Sequence, residues 1–234
     1  MKKYKIIYDD QDLLVVCKFA GLAVQSARVS TPDLMSLLRN EMLERGEKKP
    51  YLGLVNRLDQ PVEGIVLIGK NEKAAADLSR QVTDHIHMEK WYQTVVCGKL
   101  EQREDTLVDY LLKDSRTNTS KVVKEGTPGS KRSELHYEVL ASDGEKTLLR
   151  IRLLTGRHHQ IRVQLSHAGL PICGDSKYGK AGGALCLCAY KVIFSHPRTG
   201  KRMEFEVNPI SECIPSSPEA ISKVPPFIIA LAFE

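Results

Sequence analysis

Short runs of apolar residues, separated by turn residues, recur along most of this chain and predict β-strands. The opening stretch, KKYKIIYDDQDLLVVCKFAGLAVQ, has two such runs around an Asp-Asp-Gln-Asp turn, which predicts a hairpin ending at Gly21. Single strands are predicted at 51–58, 64–69 and 90–96. Two further hairpins are predicted at 133–154, around Ser142-Asp143-Gly144, and at 185–207, around Thr199-Gly200.

Three segments have helical signals. Thr31 and Pro32 are a cap and a first-turn proline before an apolar stripe that runs to Gly46. Asn71 caps a predicted helix at 74–81, and a third is predicted at 157–168. Because strands outnumber helices and hairpins join most neighbouring strands, the pattern predicts an α+β fold with a largely antiparallel mixed sheet and flanking helices.

The domain prediction follows from length and from a change in composition near the end. A chain of 234 residues is long enough to bury a sizeable core, and we predict a single domain over 1–207. The segment 208–234 is rich in Ser and Pro and then turns apolar. We expect this tail to dock on the body, because an exposed apolar terminus favours association.

Charge favours a polyanionic partner without requiring one. The formal net charge is +5, and the segment 113–132 has six basic residues against Asp114 and Glu125. That segment is predicted to be a loop or weak hairpin. Either it is an ordinary solvated surface, or it is a basic arm that contacts phosphate.

The remaining composition excludes several classes of protein. The six cysteines show no disulfide-framework density, and Cys186 and Cys188 have no CxxC or His pair nearby to complete a zinc site. No apolar run reaches the roughly 18 residues that a membrane span needs. We therefore expect a soluble, cytoplasmic monomer without a metal.

Two polar residues stand out from this pattern. Arg162 shares a helical face with Ile161 and Leu165, and an arginine on an apolar face needs an anion or a route to solvent. Asp59 ends the strand-like segment VNRLD just before Gln60 and Pro61. Taken alone, such an aspartate is more often a simple turn cap.

Four motifs in a fixed order change that interpretation. They are Asn56-Arg57-Leu58-Asp59 followed by Val62-Glu63-Gly64; Lys90-Trp91-Tyr92 leading to Gly98; Thr155 through Arg162 (TGRHHQIR); and Gly169 through Gly179 (GLPICGDSKYG). Together they resemble the RluA-type family of RNA pseudouridine synthases over roughly residues 5 to 207. The resemblance implies that family's catalytic fold with a central cleft, and an RNA substrate, ribosomal or transfer RNA.

The resemblance also implies roles for individual residues. Asp59 is expected to be the catalytic carboxylate, with Arg162 paired to it so that the carboxylate stays ionised. Tyr92 is expected to stack on the target base and to take part in proton transfer. Arg57 is expected to fill the gap that a flipped uridine leaves in the RNA. Substrate contacts are further expected from Ile161, Arg157, His159 and Gln160.

The reaction that the family performs needs no cofactor. It consists of glycosidic cleavage, rotation of the uracil and rejoining through carbon 5, with no redox change and nothing consumed. The resemblance thus implies neither a metal nor a small-molecule cofactor.

The sequence departs from the family pattern near Asp59. Asn56 stands where the family usually has His, Val62 and Glu63 replace Thr and Ser, and Phe19 replaces a proline. The small N-terminal RNA-binding domain of many relatives is expected to be absent, so that the catalytic domain itself selects the substrate.

Two other functions remain as alternatives. One is a non-catalytic RNA-binding or RNA-folding protein on the same scaffold, with turnover lost through the altered loop. The other is a glycoside hydrolase with paired carboxylates, which is weaker because Asp59 has no recognisable second acid opposite it.

Overall fold

A computed structural model describes residues 2–26, 31–84, 87–180 and 182–208. The strands are β1 Tyr4–Asp9, β2 Leu13–Lys18, β3 Gly53–Leu54, β4 Glu63–Gly69, β5 Glu89–Cys97, β6 Glu104–Asp114, β7 Thr119–Val123, β8 Lys131–Ser142, β9 Lys146–Leu153, β10 Leu187–Ser195 and β11 Arg202–Glu206. The helices are α1 Leu34–Glu44, α2 Glu72–Asp84 and α3 Gln160–His167. The predicted α+β class with a mostly antiparallel arrangement is confirmed.

The chain forms two compact units, Met1–Glu89 with Ala189–Val207, and Lys90–Cys188. The predicted single domain over 1–207 concerns how these units combine, and it stays a prediction. The docked tail was predicted for 208–234, and all of this segment after Asn208 lies outside the described residues. Within the described ranges, no helix is long and apolar enough to cross a membrane.

The first unit is built on strands in the order β1, β2, β4 and β10, with β3 paired to β4 and β11 to β10. The predicted hairpins at both ends of the sequence are confirmed, because β1 pairs with β2 and β10 with β11, each antiparallel. One face of these strands buries a cluster with α2 in the core, formed by Leu13, Val15, Ile65, Leu67, Leu78, Met88, Val192 and Phe194. Alternate residues of β2 and β4 enter this cluster, as the two-residue repeat of a strand requires.

The second unit has the strand order β5, β9, β8, β6 and β7. The hairpin predicted around Gly144 is confirmed as β8 and β9. The basic segment at 113–132 belongs to a second hairpin, β6 with β7, followed by turns up to β8. Most of β6 was not predicted, because all of its residues but one are exposed or half-buried and they show no clean alternation.

Three predicted boundaries were wrong. Helix α1 begins after Asp33, not at Thr31, because the Asp33 carboxylate accepts the backbone N–H of Ser36 at 2.8 Å while the Ser36 hydroxyl oxygen accepts that of Asp33. Helix α3 begins at Gln160, because His159 has a left-handed backbone with φ +53° that a helix excludes. The predicted strand at 51–58 is reduced to Gly53–Leu54.

Helix α3 is also buried more completely than a one-sided stripe predicts. All residues from Gln160 to Leu165 are buried. The amide of Gln164, on the side that the pattern left polar, donates to the Leu107 carbonyl at 3.2 Å and to the Asp109 carboxylate at 2.9 Å. The polar positions of α3 therefore face strands and loops of the unit, and not water.

Candidate active site

The Asp59 loop, residues 55–62, lies in the first unit between β3 and β4. The side chain of Asn56 takes the place of two backbone hydrogen bonds between strands. Its Nδ2 donates to the Ile65 carbonyl at 3.1 Å, and its Oδ1 accepts the Leu67 N–H at 2.8 Å. This explains why the strand predicted at 51–58 stops early: at position 56 the side chain, and not the backbone, forms the hydrogen bonds to β4. The departure at position 56 thus anchors the loop to β4.

The far end of the loop is fixed by a turn and by Gly64. The Val62 N–H donates to the Asp59 carbonyl at 3.0 Å, and the Val62 side chain is buried. Gly64 has φ +122°, and a Cβ at this position would lie 2.3 Å from the Ala189 carbonyl oxygen. Only glycine therefore fits, which gives the last residue of the first motif a structural reason.

A buried lysine lies beneath the same loop. Lys18 has 0% exposure, and its ammonium donates to the carbonyls of Leu22 at 2.8 Å, Phe19 at 3.2 Å and Gln60 at 3.2 Å. Burial lowers the pKa of Lys18 to about 8, although the nearby charges of Asp59 and Glu63 oppose that shift. Glu63, which replaces a serine of the family pattern, thus helps to keep this buried ammonium protonated.

The loop holds Asp59 and Arg57 in different environments. Asp59 is half-buried, between buried Leu58 and the turn, whereas Arg57 is exposed. An exposed guanidinium two residues from the proposed catalytic carboxylate is accessible to a large substrate. The insertion of Arg57 into RNA stays a prediction.

In the second unit, Arg162 has the anion that its buried position requires. Its Nε donates to Asp175 Oδ2 at 2.8 Å and one terminal nitrogen donates to Oδ1 at 2.7 Å, with the two side chains 4% and 1% exposed. Despite burial, the pKa of Asp175 is lowered, because Arg162 and two backbone N–H groups stabilise its charged form. The pairing of Arg162 with Asp59 joins residues of different units and stays a prediction.

The loop after α3 builds this ion pair. Asp175 also accepts the N–H groups of Lys177 at 2.9 Å and Tyr178 at 3.2 Å, which closes a tight turn. The guanidinium carbon of Arg162 lies 5.2 Å from the centre of the Tyr178 ring. Sequence analysis quoted the GDSKYG motif but gave Asp175 and Tyr178 no role, although an acidic residue in an ordered motif was the available signal.

The TGRHHQIR segment is held by its own side chains. Gln160 accepts from the Thr155 hydroxyl at 2.8 Å and the Arg157 N–H at 2.9 Å, and its Nε2 donates to the Glu134 carbonyl at 3.1 Å. The ring of His159 contacts the Tyr178 hydroxyl at 2.7 Å. These bonds position the segment, while substrate contact by Gln160, His159 and Arg157 stays a prediction.

Tyr92 lies on β5 opposite Ile151 of β9 and is almost fully buried, as is Ile161 on α3. Its neighbours on the same face are Lys90 and Thr94, because alternate residues of a strand share a face. A buried tyrosine at this place fits a residue that contacts a base in an enclosed pocket. The role of Tyr92 in proton transfer also stays a prediction.

One group of the described residues has metal-ligand chemistry, namely Asp10, Asp12 and His196, with ligand atoms within 4.8 Å of one another. Nε2 of His196 bonds Asp10 at 2.9 Å, and its Nδ1 accepts the backbone N–H groups of Arg198 and Thr199, both at 3.2 Å. Asp12 forms an ion pair with Arg198. Hydrogen-bond donors already occupy these ligand atoms, so the cluster ties the β1–β2 turn to the β10–β11 turn, and we assign no metal to it.

Comparison with known proteins agrees with the motifs. The family model for RNA pseudouridylate synthase matches residues 12–167. An uncharacterized RNA pseudouridine synthase of Bacillus subtilis (strain 168) is 33% identical over 213 residues, covering 86% of this chain and 67% of the relative. Ribosomal large subunit pseudouridine synthase C of Salmonella typhimurium is 32% identical over 224 residues, covering 89% and 68%. The chain spans about two thirds of the length of these relatives.

Solved structures confirm the fold. Human RNA pseudouridylate synthase domain containing 4 superposes with a TM-score of 0.74 at 20% identity, covering 93% of this chain and 92% of that one. Human RNA pseudouridylate synthase domain containing 1 gives 0.70 at 23% identity, covering 87% and 82%. The family match extends from β2 through α3, so it includes both the Asp59 loop and Arg162. The chain belongs to the family of RNA pseudouridine synthases.

Proposed function

We propose that this protein converts uridine to pseudouridine in structured ribosomal RNA or transfer RNA, with Asp59 as the catalytic carboxylate. The proposal is supported by the way the structure fixes the two motif regions that contain Asp59 and Arg162. A loop anchored at both ends holds Asp59, and a buried ion pair holds Arg162. The large-subunit name of the Salmonella typhimurium relative favours ribosomal RNA as the substrate.

The reaction assigns each residue one task. The bond between N1 of the uracil and C1′ of the ribose breaks, while Asp59 attacks C1′ or stabilises the positive charge that develops there. Tyr92 and Ile161 enclose the freed uracil, which turns without escaping. C5 then bonds C1′, which breaks the bond to the Asp59 carboxylate where one has formed; the C5 proton leaves, and N1 takes up a proton. Atoms and charge balance without a redox partner.

Arg162 acts through the positive charge of its guanidinium group. Its guanidinium favours the ionised form of Asp59 if the two motif regions combine as in the family, and Asp175 holds it in one orientation. Arg57, Arg157, His159 and Gln160 contact the RNA around the flipped uridine. We further propose that the protein acts in the cytoplasm as a monomer.

The test is tritium release from RNA that carries tritium at C5 of uridine. Wild type should release tritium, and Asp59→Asn should not. Asp105→Asn is the matched control, because Asp105 is an exposed aspartate in β6, and it should keep wild-type release. Release that persists in Asp59→Asn would remove Asp59 from the mechanism. Absence of release from wild type on total cellular RNA, with RNA binding retained, would favour the non-catalytic alternative.

A further inference from the structure

Lys90, the first residue of the Lys90-Trp91-Tyr92 motif, is a buried cation with no anion beside it among the residues that the structure describes. Its side chain is 8% exposed. Across the described part of the chain, its ammonium has no hydrogen-bond acceptor and no carboxylate partner. Burial lowers the pKa of Lys90, and the charge of Arg157 lowers it further. A buried, unpaired charge is costly, so this arrangement is explained best by a ligand that supplies the missing negative charge.

The position of the ammonium shows where that ligand would approach. A Cβ built at Gly156 would lie 3.6 Å from Nζ of Lys90, at ordinary contact distance. Gly156 is itself exposed and has no side chain. Gly156 therefore leaves space beside the ammonium, at an exposed position of the second unit.

Arg157 supplies a second positive charge at the same place. Its Nε donates to the Arg132 carbonyl at 3.2 Å, and its backbone N–H donates to Gln160 at 2.9 Å. Within the described ranges, its two terminal nitrogens have no protein acceptor. A guanidinium oriented by one nitrogen, with two others available, can bind two oxygens of a single anion.

We propose that Lys90 and Arg157 together bind one backbone phosphate of the RNA substrate, next to the uridine that reacts. This inference rests on the proposed function and deepens it. Lys90 and Tyr92 are two residues apart on one face of β5, so their Cα atoms are about 7 Å apart. That spacing is comparable to one nucleotide, so a phosphate held at Lys90 places the adjoining base near Tyr92.

The experiment compares the full-length chain with Lys90→Gln and Arg157→Gln. The probe is unmodified ribosomal RNA labelled with tritium at C5 of uridine. We expect each substitution to raise KM about tenfold, as for the loss of one charged contact, and to leave kcat within about twofold. The slope of log affinity against log salt should fall by about 0.7 to 0.9, the value for one phosphate contact. Lys90→Arg, which keeps the charge, should recover most of the affinity.

Two controls separate this site from a structural or a general electrostatic effect. Lys146→Gln removes an exposed lysine of β9 and should leave KM within about twofold. Lys90→Gln should melt at or above the wild-type temperature, because it removes a buried charge that has no partner in the described ranges. A lysine with a structural role would instead give a lower melting temperature.

The double variant tests whether the two cations share one phosphate. If they do, Lys90→Gln with Arg157→Gln should raise KM by less than the product of the single effects. Unchanged KM and salt slope in Lys90→Gln would overturn the proposal. A fall in kcat alone would also overturn it and would place Lys90 in the chemical step.

These outcomes are separable from failure of the proposed function. If wild type releases no tritium, the enzymatic proposal fails, while filter binding of the same RNA still measures the salt slope. If wild type is active and the slope is unchanged in Lys90→Gln, the phosphate site fails alone.

Discussion

The Asp59 loop and the helix α3 region each bury a cation, and they stabilise it in different ways. Lys18 lies under the loop and donates to three backbone carbonyls, whereas Arg162 forms a two-bond ion pair with Asp175. Carbonyl dipoles offset burial only in part, so the pKa of Lys18 falls to about 8. A carboxylate offsets it more strongly, and in return its own pKa is lowered. The loop therefore packs over an ammonium that, among the described residues, only carbonyl oxygens accept from, whereas α3 has a two-bond ion pair in addition to the amide hydrogen bonds of Gln160 and Gln164.

The largest effect is expected at the charged contact. Asp175→Leu should destabilise the fold by about 3 to 5 kcal/mol, because Arg162 stays buried and loses its two bonds to the carboxylate. Urea unfolding measures this loss. In Arg162→Met with Asp175→Leu, both charges are gone, and the loss should be smaller than in the single variant. A double variant as unstable as Asp175→Leu would show that packing, and not charge, dominates here.

The next effect concerns the backbone that closes the loop. Gly64→Ala should cost more than about 2 kcal/mol, because it combines a left-handed φ with a clash against the Ala189 carbonyl. Gly144→Ala is the matched control, since Gly144 has φ +95° but nothing within 4 Å of a new Cβ. Thermal melting should show a loss of about 1 kcal/mol for the control. Equal losses would mean that strain alone, without the close approach, determines the need for glycine at position 64.

The third prediction concerns Lys18, the buried cation that donates to backbone carbonyls. Lys18→Met should cost about 2 kcal/mol at pH 7, because buried carbonyls lose a donor. Since the folded pKa of about 8 lies below the ordinary 10.5, the folded state binds this proton less tightly than the unfolded state. The stability that Lys18 contributes therefore rises from pH 8 to pH 10.5. The gap in unfolding free energy between wild type and Lys18→Met should widen by up to about 1.4 kcal/mol per pH unit in that window. A gap that narrows would contradict the assignment.

The smallest effect is expected for Asn56, whose two side-chain hydrogen bonds can be tested separately. Asn56→Asp should cost about 1 kcal/mol, because a carboxylate still accepts the Leu67 N–H but cannot donate to the Ile65 carbonyl. Chemical denaturation measures this change. Asn40→Asp, at an exposed position of α1, serves as the control and should stay close to wild type. An equal loss of unfolding free energy in both variants would show that the Asn56 side chain does not replace hydrogen bonds between strands.

The sequence predicted those parts of the fold that depend on neighbouring residues. The hairpin turns at 9–12 and 142–144 were correct, because Asp and Gly favour turns through their own side chains or backbone freedom. Asn71 was correctly predicted to cap α2. The boundaries near Thr31 and Arg157 were wrong, because a reciprocal cap at Asp33 and a left-handed His159 decide where those helices begin.

The candidate site divides in the same way. The sequence by itself determined the family, since four ordered motifs are visible without coordinates, and it also indicated that Arg162 needs either an anion or a route to solvent. Only the tertiary structure identified Asp175 as an anion that meets this need, Asn56 as a substitute for sheet bonding and Lys90 as a buried cation without a partner among the described residues. The physical reason is distance along the chain. Turn and cap bonds join residues within three or four positions, whereas these contacts join residues 9 to 66 positions apart, and no periodicity in a sequence encodes such pairings.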